Sequence, residues 1–171
     1  MKRVLVLGCP GSGKSTLSKA LARKLGLPLV HLDRLNWREG WQSVSREEFD
    51  RLLSAELEKD EWIIDGNYSR TIGERLLRCD TAVYLDYPRP MCLLGVFRRV
   101  LSGRGRTRSD MGAGCPERLD WEFVRYVWDF RRTQRGRILS LLRQAQGVDV
   151  QVFRTRRQAA RFLESAPKST S

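Results

Sequence analysis

The sequence predicts a three-layer α/β/α domain, in which helices cover both faces of a parallel β-sheet. Short runs rich in valine, isoleucine and leucine alternate along the chain with segments whose apolar residues recur at helical spacing. The first run, Val4 to Leu7, stops at a glycine-rich turn, and a helical pattern follows at once. Strands that alternate with helices pair in parallel through right-handed crossovers. With 171 residues, of which 41% are hydrophobic, the chain is expected to form a single domain over residues 1–171.

The turn after the first strand reads Gly-x4-Gly-Lys-Ser, from Gly8 to Ser15. Glycines allow positive φ angles and let backbone N–H groups converge on phosphate oxygens, which is the pattern of a P-loop. Lys14 is expected to reach the β- and γ-phosphates of ATP, and the Ser15 hydroxyl to ligate Mg²⁺. A chance glycine-rich turn is the alternative. The predicted nucleotide contacts in this loop are Gly8, Pro10, Gly11, Ser12, Gly13, Lys14, Ser15 and Thr16.

The remaining strands and helices are predicted from the same two patterns, short apolar runs and apolar residues at helical spacing. Four more strands are predicted, over residues 29–32, 61–65, 81–86 and 149–153. Helices are predicted over residues 14–25, 45–57, 69–77, 88–101, 121–146 and 156–164. The helix over 121–146 is expected to be continuous, with a buried stripe of Phe123, Val124, Val127, Trp128, Ile138, Leu141 and Leu142.

Residues 102–118 have a different character, with four glycines, four arginines and almost no apolar periodicity. Loops of this length in a compact domain are usually functional lids or disordered. Arg104, Arg106 and Arg108 alternate in this segment, and we predict a lid that brings one or two of them, with Arg104 and Arg108 preferred, over the transferring phosphate; solvated loop charge is the alternative. Arg132, in the following helix, is expected to face the same phosphates from the other side. The last residues, 166–171, are expected to be disordered.

Three aspartates end predicted strands. Asp65 is the preferred second magnesium group and would hold the ion through water. Asp86 is the second choice. The alternative role of Asp65 is to form a turn with Gly66. Asp33 is expected at the C-terminal edge of the sheet, where open α/β sheets bind ligands. There it would receive the proton of an acceptor hydroxyl, unless it only caps a helix or a turn. Three residues follow it closely enough to form a pocket wall: Arg34, Trp37 and Trp41.

The formal net charge of +12 comes mostly from arginine. Arginines gather around a phosphate-rich active site, whereas a nucleic-acid-binding protein spreads basic residues along one face or tail. The clusters at 98–108 and 131–137 favour the first interpretation. The four cysteines have no C-x-x-C spacing and there is one histidine, so neither a structural metal nor disulfides are expected. No apolar run of about 18 residues occurs, and we expect a soluble, cytoplasmic protein with no membrane segment or signal peptide.

Several motifs together resemble those of the bacterial adenylate-kinase-related proteins labelled DNA topology modulation protein, and the likeness covers most of residues 1–165. These are the P-loop, His31-Leu32-Asp33 with a downstream Trp37, Gly66-Asn67-Tyr68, Leu85-Asp86-Tyr87-Pro88-Arg89, and Asp110-Met111-x-x-Gly114-Cys115-Pro116-Glu117. More distantly, the order of parts is similar to that of nucleoside monophosphate kinases and of shikimate and gluconate kinases.

This resemblance implies a five-stranded sheet in the order 2-3-1-4-5, an acceptor region after the second strand and an arginine-bearing lid. It implies that Asp33 binds the acceptor and that the turn after the fifth strand, with Arg154, lines the adenine. Adenylate kinases carry Asp-Gly-Phe-Pro-Arg after the third strand, whereas this chain has its arginine, Arg70, one place later. The shift argues against Arg70 as a phosphate clamp and against AMP as the acceptor.

Two functions remain open from the sequence. The first is an ATP- and Mg²⁺-dependent kinase that phosphorylates a small molecule or a nucleotide. The second is a nucleotide-binding, DNA-associated regulator with little or no kinase activity. Arginines that converge on the P-loop would favour the kinase, and an outward basic stripe would favour the regulator. The acceptor is not identified by the sequence, and the protein is expected to be a monomer or a weak homodimer.

Overall fold

The main sheet has five parallel strands. The computed structural model describes residues 1–103 and 121–167. The strands of the main sheet are β1 (Arg3–Gly8), β2 (Leu29–His31), β5 (Trp62–Asp65), β6 (Thr81–Leu85) and β7 (Asp149–Phe153). They lie in the order β2-β5-β1-β6-β7, and every neighbouring pair is parallel. Counted within this sheet, the order is 2-3-1-4-5, so the predicted topology is confirmed.

A separate antiparallel pair, β3 (Trp37–Arg38) and β4 (Gln42–Ser43), follows the second strand of the sheet. A 3₁₀ turn over Glu39–Trp41 connects its two strands, and Gly40 within it has a φ of 71°. Trp37 pairs with Ser43 across this hairpin. The sequence alone gave no regular structure here, because two-residue strands are too short to show a periodicity.

The structure describes eight helices in residues 1–103 and 121–167. They are α1 (Lys14–Leu25), α2 (Leu32–Asn36), α3 (Arg46–Leu57), α4 (Ile72–Arg78), α5 (Arg89–Gly103), α6 (Trp121–Thr133), α7 (Arg135–Gln144) and α8 (Arg156–Ser165). Helix α1 packs against α8 and against three strands, β1, β2 and β5. Helix α4 packs on β1 and α7, and α6 contacts both α5 and α7.

The centre of the sheet is buried on both faces. Val4, Leu5, Val6 and Leu7 of β1 are all fully buried, although successive side chains of a strand point to opposite faces. All residues of β5 and β6 are buried as well. Such continuous apolar strands are typical of a parallel sheet with helices on both sides, which is the predicted three-layer architecture.

The predicted continuous helix over 121–146 is wrong, because it is divided at Gln134 into α6 and α7. Gln134 has a φ of −112° and ψ of −37°. The Thr133 hydroxyl donates to the carbonyl of Asp129 at 3.1 Å, a contact that bends helices. The predicted buried stripe is also wrong at Trp128, whose side chain is 53% exposed, because α6 turns Val127 and Phe130 toward the core instead.

The second strand is shorter than predicted. It ends at His31, and Asp33 lies in the first turn of α2. At the C-terminus of the described chain, Ala166 is buried and its N–H donates to the carbonyl of Phe162; the rest of the predicted tail, from 168, lies outside the described residues. No helix in the described ranges has the length and apolar character to cross a membrane.

Candidate active site

The P-loop leaves β1 at Gly8 and enters α1 at Lys14. Gly11 and Gly13 have φ angles of 78° and 93°, in the left-handed region that other residues rarely adopt. The N–H of Ser12 donates to the carbonyl of Cys9 at 3.1 Å and closes the turn between them. The loop thus requires glycine at two positions for its backbone conformation alone.

The first turn of α1 is arranged to receive an anion. Gly13 is its N-cap, no side chain caps it, and no acidic residue lies in the first turn. The first N–H groups of a helix have no partners within the helix and carry the positive end of its dipole. A Cβ built on Gly13 would meet no atom of the described residues within 4 Å, so no described residue covers the N-cap position on that side. These features suit a phosphate group.

Lys14 adds a positive charge to the same loop. Its Nζ lies 3.4 Å from the carbonyl oxygen of Cys9, so the side chain folds back over the turn rather than extending from the helix. Ser15 and Thr16 follow it, and all three residues line the cavity described below. The ammonium group and the helix N-terminus therefore act on one space.

Helix α5 lies directly against the P-loop, backbone to backbone. A Cβ built on Gly95 would lie 2.0 Å from the carbonyl oxygen of Gly11, and one built on Gly11 would lie 2.1 Å from the carbonyl oxygen of Cys92. Neither position can carry a side chain unless one backbone moves away from the other. Gly11 therefore serves packing as well as conformation.

The loop after β5 fixes the start of the P-loop. The N–H of Gly8 donates to Asn67 Oδ1 at 3.1 Å, and Asn67 Nδ2 donates to the carbonyl of Gly8 at 2.8 Å. Arg75 is fully buried and donates to the carbonyls of Gly66, Asn67 and Tyr68. Burial lowers the pKa of Arg75 to about 9, so it remains a cation at neutral pH and holds this loop in place.

Asp65 stands at the end of β5 and is 4% exposed. Its Oδ2 lies 3.0 Å from His31 Nδ1, while its Oδ1 is buried without a hydrogen-bond partner among the residues that the structure describes. A buried carboxylate oxygen without a donor is costly, and a magnesium ion or a water of its shell would satisfy it. Within the described ranges no cluster of three or more His, Cys, Asp or Glu residues exists. The set fits Mg²⁺, which is usually held by one or two carboxylates together with substrate phosphates.

Asp86, the second choice for the metal, is occupied by an ion pair. Arg135 Nε and Nη2 donate to its two carboxylate oxygens at 2.7 and 2.8 Å. This bidentate contact joins the end of β6 to the start of α7, and it raises the pKa of the Arg135 guanidinium. Asp65 is therefore the better magnesium candidate of the two.

One cavity of about 800 Å³ extends from the P-loop to the region after β2. Lys14, Ser15, Asp33 and Asp65 all line it. Five of the lining residues after β2 and β5 form what we call the aromatic wall: Asp33, Asn36, Trp37, Trp41 and Tyr68. The structure thus brings Lys14, Ser15, Asp33 and Asp65 together around a single space, whereas three other predicted residues do not line it: Gly8, Ser12 and the exposed Arg34.

Hydrogen bonds connect the members of the aromatic wall. The Tyr68 hydroxyl donates to Asp33 Oδ1 at 2.9 Å, and the Trp37 indole is hydrogen-bonded to the Tyr68 side chain. Burial, together with the charge of Asp33, raises the pKa of Tyr68 well above its usual value. Tyr68 therefore stays protonated and orients Asp33, which lies in α2 rather than at a strand end.

Two residues of this wall have strained backbones. In the described part of the chain, Trp41 and Tyr68 are the non-glycine residues with positive φ, at 63° and 37°. Such conformations cost about 1–3 kcal/mol each and concentrate at functional sites. Both side chains make ring contacts: Trp41 meets Trp37 edge to face at 5.6 Å, and Tyr68 stacks on Phe49 at 4.8 Å.

The predicted arginines are divided between the cavity and the surface. Arg132 is exposed and does not line the cavity, whereas the charge of Arg131 acts on the Cys9 thiol inside the P-loop. Arg99 lines the cavity and stacks on Phe123 at 5.3 Å. Arg154 is exposed on the turn after β7, outside the cavity lining, and its N–H donates to the side chain of Gln158.

The lid residues cannot be located. The predicted lid over about 102–118 begins in the last residues of α5, and Arg104 and Arg108 lie outside the described residues. They stay predictions.

The side chain of Cys9 is buried and contributes to the packing of the P-loop. It is 4% exposed, and its Sγ lies 3.8 Å from the carbonyl oxygen of Val127. A hydrogen bond with Cys92, reinforced by burial, raises the pKa of the Cys9 thiol. The thiol of Cys9 is therefore held in its protonated form.

Comparisons with known proteins concern the first part of the chain and the fold. The sequence model of the ATPase family associated with various cellular activities (AAA) matches residues 4–65, from β1 to the end of β5. No curated protein matches the chain. Among solved structures, shikimate kinase from Acinetobacter baumannii in complex with shikimate has a TM-score of 0.62 at 14% identity, covering 96% of this chain and 90% of that one.

Two further structures resemble it over nearly their full lengths. Shikimate kinase from Bacteroides thetaiotaomicron has a TM-score of 0.57 at 20% identity, with 95% of this chain and 94% of that chain covered. An unliganded sugar kinase from a Janibacter species has a TM-score of 0.51 at 15% identity, with 96% and 91% covered. The fold is that of P-loop kinases. At such identities the likeness concerns the fold, and the residues of each site must be judged by their own geometry.

Sequence reasoning missed three residues that shape the P-loop. Gly95 lies inside an apolar helix, Asn67 follows a strand, and Arg75 is one of many arginines. Gly95 and Asn67 contact P-loop residues that lie dozens of positions away in the sequence. Arg75 holds the loop beside the P-loop, and its role depends on complete burial. A glycine in the middle of a helix was the one available signal, because such a glycine often marks a close approach.

Proposed function

We propose that this protein is an ATP- and Mg²⁺-dependent phosphotransferase of the kind represented by the adenylate-kinase-related proteins that its motifs resemble. It transfers the γ-phosphate of ATP to a hydroxyl group of a small molecule or nucleotide. One observation carries the proposal: a single cavity joins the P-loop and the half-satisfied carboxylate of Asp65 to the carboxylate of Asp33. Phosphoryl transfer needs positioning and charge neutralisation more than covalent chemistry, and these residues supply both.

Each residue has a role in this proposal. The N–H groups at the start of α1 and the Lys14 ammonium bind the phosphates of ATP, and Ser15 with Asp65 would hold Mg²⁺. The metal, when bound, neutralises charge on the phosphate oxygens. Asp33 accepts the proton of the acceptor hydroxyl. The acceptor oxygen forms a bond to the γ-phosphorus, the bond from that phosphorus to the bridging oxygen breaks, and ADP leaves.

The proposed function also concerns the acceptor, the arginines that would contact the substrates and the cellular location of the protein. The acceptor is a small molecule or nucleotide, and the lid arginines Arg104 and Arg108 are proposed to close over the phosphate. Arg132 is less suited to that role, because its side chain is exposed. Arg154 is retained as a candidate for the adenine contact through its position after β7. A cytoplasmic protein that is a monomer or weak homodimer is consistent with this function.

A second function, a nucleotide-binding regulator associated with DNA, is favoured by one observation. Four arginines around and within α8 are exposed: Arg154, Arg156, Arg157 and Arg161. Basic side chains that point outward can neutralise DNA phosphates, and binding of that kind weakens steeply with salt. Duplex DNA binding with a steep salt dependence, and no ADP release with any acceptor, would support this function over the kinase.

Calorimetry with ATP and Mg²⁺ tests the proposed kinase most directly. We expect binding to the wild-type protein and at least a tenfold loss of affinity in Lys14→Ala. Lys19→Ala, in the same helix but outside the cavity lining, is the control and should bind ATP normally. If a folded wild-type protein neither binds ATP nor gains thermal stability from it, the proposed function is wrong.

A further inference from the structure

We propose that the acceptor is an uncharged alcohol that carries a planar ring, and that its chemical class is a nucleoside. This inference rests on the phosphotransferase function proposed above and specifies its second substrate. It comes from the aromatic wall, which offers ring faces, one carboxylate and one amide to the cavity.

The aromatic wall is built to bind a flat molecule. Trp37 and Trp41 line the cavity, and their rings meet at 5.6 Å with an interplanar angle of 70°. Tyr68 is held from behind by stacking on the buried Phe49, at 4.8 Å and 22°. Fixed aromatic rings bind planar ligands by stacking with little loss of side-chain freedom.

Two residues of the aromatic wall have strained backbone conformations. Trp41 and Tyr68 keep positive φ angles, which bulky side chains adopt only where the surrounding structure imposes them. Residues that merely filled a core would adopt the ordinary regions. Strain at two aromatic residues of one cavity points to a role in ligand binding.

The charge of the aromatic wall disfavours an anionic acceptor. Asp33 is its single charged member, and a carboxylate repels a carboxylate or a phosphate. In the described residues the cations that line the whole cavity are Lys14 and Arg99. Lys14 lies on the P-loop, and Arg99 stacks on Phe123.

Other arginines near this region are engaged elsewhere. Arg70, which follows the wall residue Tyr68, makes two hydrogen bonds to the carboxylate of Asp50 at 2.9 and 2.5 Å. Arg75 donates to backbone carbonyls. The wall therefore has no described guanidinium that could bind the phosphate of a nucleoside monophosphate or the carboxylate of a hydroxy acid.

A nucleoside satisfies every feature of the wall. Its base is planar and can stack on one of the two tryptophan rings, which stand at 70° to each other, and the base edge has donors and acceptors that suit the amide of Asn36. Its sugar hydroxyl supplies the proton that passes to Asp33, while its oxygen forms the new bond to the γ-phosphorus of ATP and ADP leaves. The product is a nucleoside monophosphate.

The test is ADP release with a defined acceptor panel. Wild-type protein with ATP and Mg²⁺ is mixed with adenosine, guanosine, cytidine or uridine, with their 5′-monophosphates, and with shikimate. At least one nucleoside is expected to raise ADP release tenfold or more above the acceptor-free rate, whereas the monophosphates and shikimate should not. Stimulation by a monophosphate or by shikimate without stimulation by any nucleoside overturns the inference. So does a complete lack of stimulation in protein that binds ATP.

Variants of the wall provide a second measurement. Trp37→Leu is expected to raise the KM for the stimulating nucleoside at least tenfold with ATP affinity unchanged, and Trp37→Phe should restore most of the loss. Trp128→Leu removes an exposed tryptophan outside the cavity lining and should change neither value. An unchanged KM in Trp37→Leu contradicts the role of the wall. Loss of ATP binding by the wild type would instead contradict the proposed function, so the two failures are distinguishable by calorimetry.

Discussion

The contact between α5 and the P-loop predicts that Gly95→Ala impairs both folding and nucleotide binding. The added Cβ would lie 2.0 Å from the carbonyl oxygen of Gly11, whereas carbon and oxygen normally approach to about 3.3 Å. The two backbones must therefore separate by more than about 1 Å. The atoms in the way belong to the main chain, so no flexible side chain can yield.

The magnitude follows from two opposing effects. Inserting a methyl group into a packed contact costs about 1–3 kcal/mol, and the backbone clash places Gly95→Ala at the upper end. Alanine is better than glycine within a helix by about 1 kcal/mol. We therefore expect a net loss of about 2 kcal/mol in the free energy of unfolding. Because Gly11 is part of the phosphate site, ATP affinity should fall about tenfold, equivalent to about 1.4 kcal/mol.

Urea unfolding and calorimetry with ATP and Mg²⁺ measure these two effects. Gly136→Ala in α7 is the matched control, because a Cβ there would meet nothing within 4 Å. It should be neutral or stabilising by up to about 1 kcal/mol, with ATP affinity unchanged. If Gly95→Ala is as stable as the wild type and binds ATP equally well, the close packing of α5 on the P-loop does not exist in solution.

Three further predictions concern carboxylates and their partners. Asp33→Asn should lower acceptor-dependent turnover at least a hundredfold with little change in ATP affinity; an equal loss of ATP binding would contradict its role toward the acceptor. His31→Leu removes the partner of Asp65 Oδ2 and should weaken Mn²⁺ binding to the ATP complex about tenfold, as measured by electron paramagnetic resonance. His31→Asn should retain most of the Mn²⁺ affinity. Equal Mn²⁺ affinities in the two variants would exclude a positioning role for His31. Partial burial raises the pKa of Asp80, but hydrogen bonds from Thr81 and from the backbone of β1 outweigh it and hold the pKa below its usual value. A depressed pKa stabilises the folded state above about pH 4. The stability lost in Asp80→Asn should therefore be largest at neutral pH and shrink as the pH falls below about 4; a difference independent of pH in urea unfolding would refute this linkage.

The parts of the site that are local in sequence could be predicted. The P-loop is one uninterrupted stretch, and its glycine, lysine and serine positions follow from the requirements of a phosphate nest. The strands were predictable for the same reason, because the burial of β1, β5 and β6 on both faces produces continuous apolar runs. The order of the strands came from the resemblance to kinases, since no local pattern encodes which strands are neighbours.

The parts that depend on packing could not be predicted. Neighbouring residues of a helix point in different directions, so in α6 the charge of Arg131 acts on Cys9 of the P-loop whereas Arg132 is exposed. Arg135 lies beyond the break at Gln134, in α7, and pairs with Asp86. All three have the same chemistry, so the sequence could not distinguish them.

The two metal candidates show the same dependence on partners. Asp65 and Asp86 both end strands on either side of β1, and the sequence ranked them without deciding. The structure gives Asp86 an arginine on both oxygens. It gives Asp65 a histidine on one oxygen and leaves the other without a described partner. The choice thus depends on which carboxylate still needs a cation, a property that only the folded chain defines.

The P-loop is held by contacts from two sides, and this has a consequence for binding. Gly11 lies against Gly95 of α5, and Gly8 is bonded twice to Asn67. A loop with several glycines is otherwise the part of a chain with the most conformational freedom. Contacts made on folding remove that freedom before the nucleotide arrives, so less ordering opposes binding. Residues remote in sequence, such as Asn67 and Gly95, should therefore influence ATP affinity although neither need touch the phosphates.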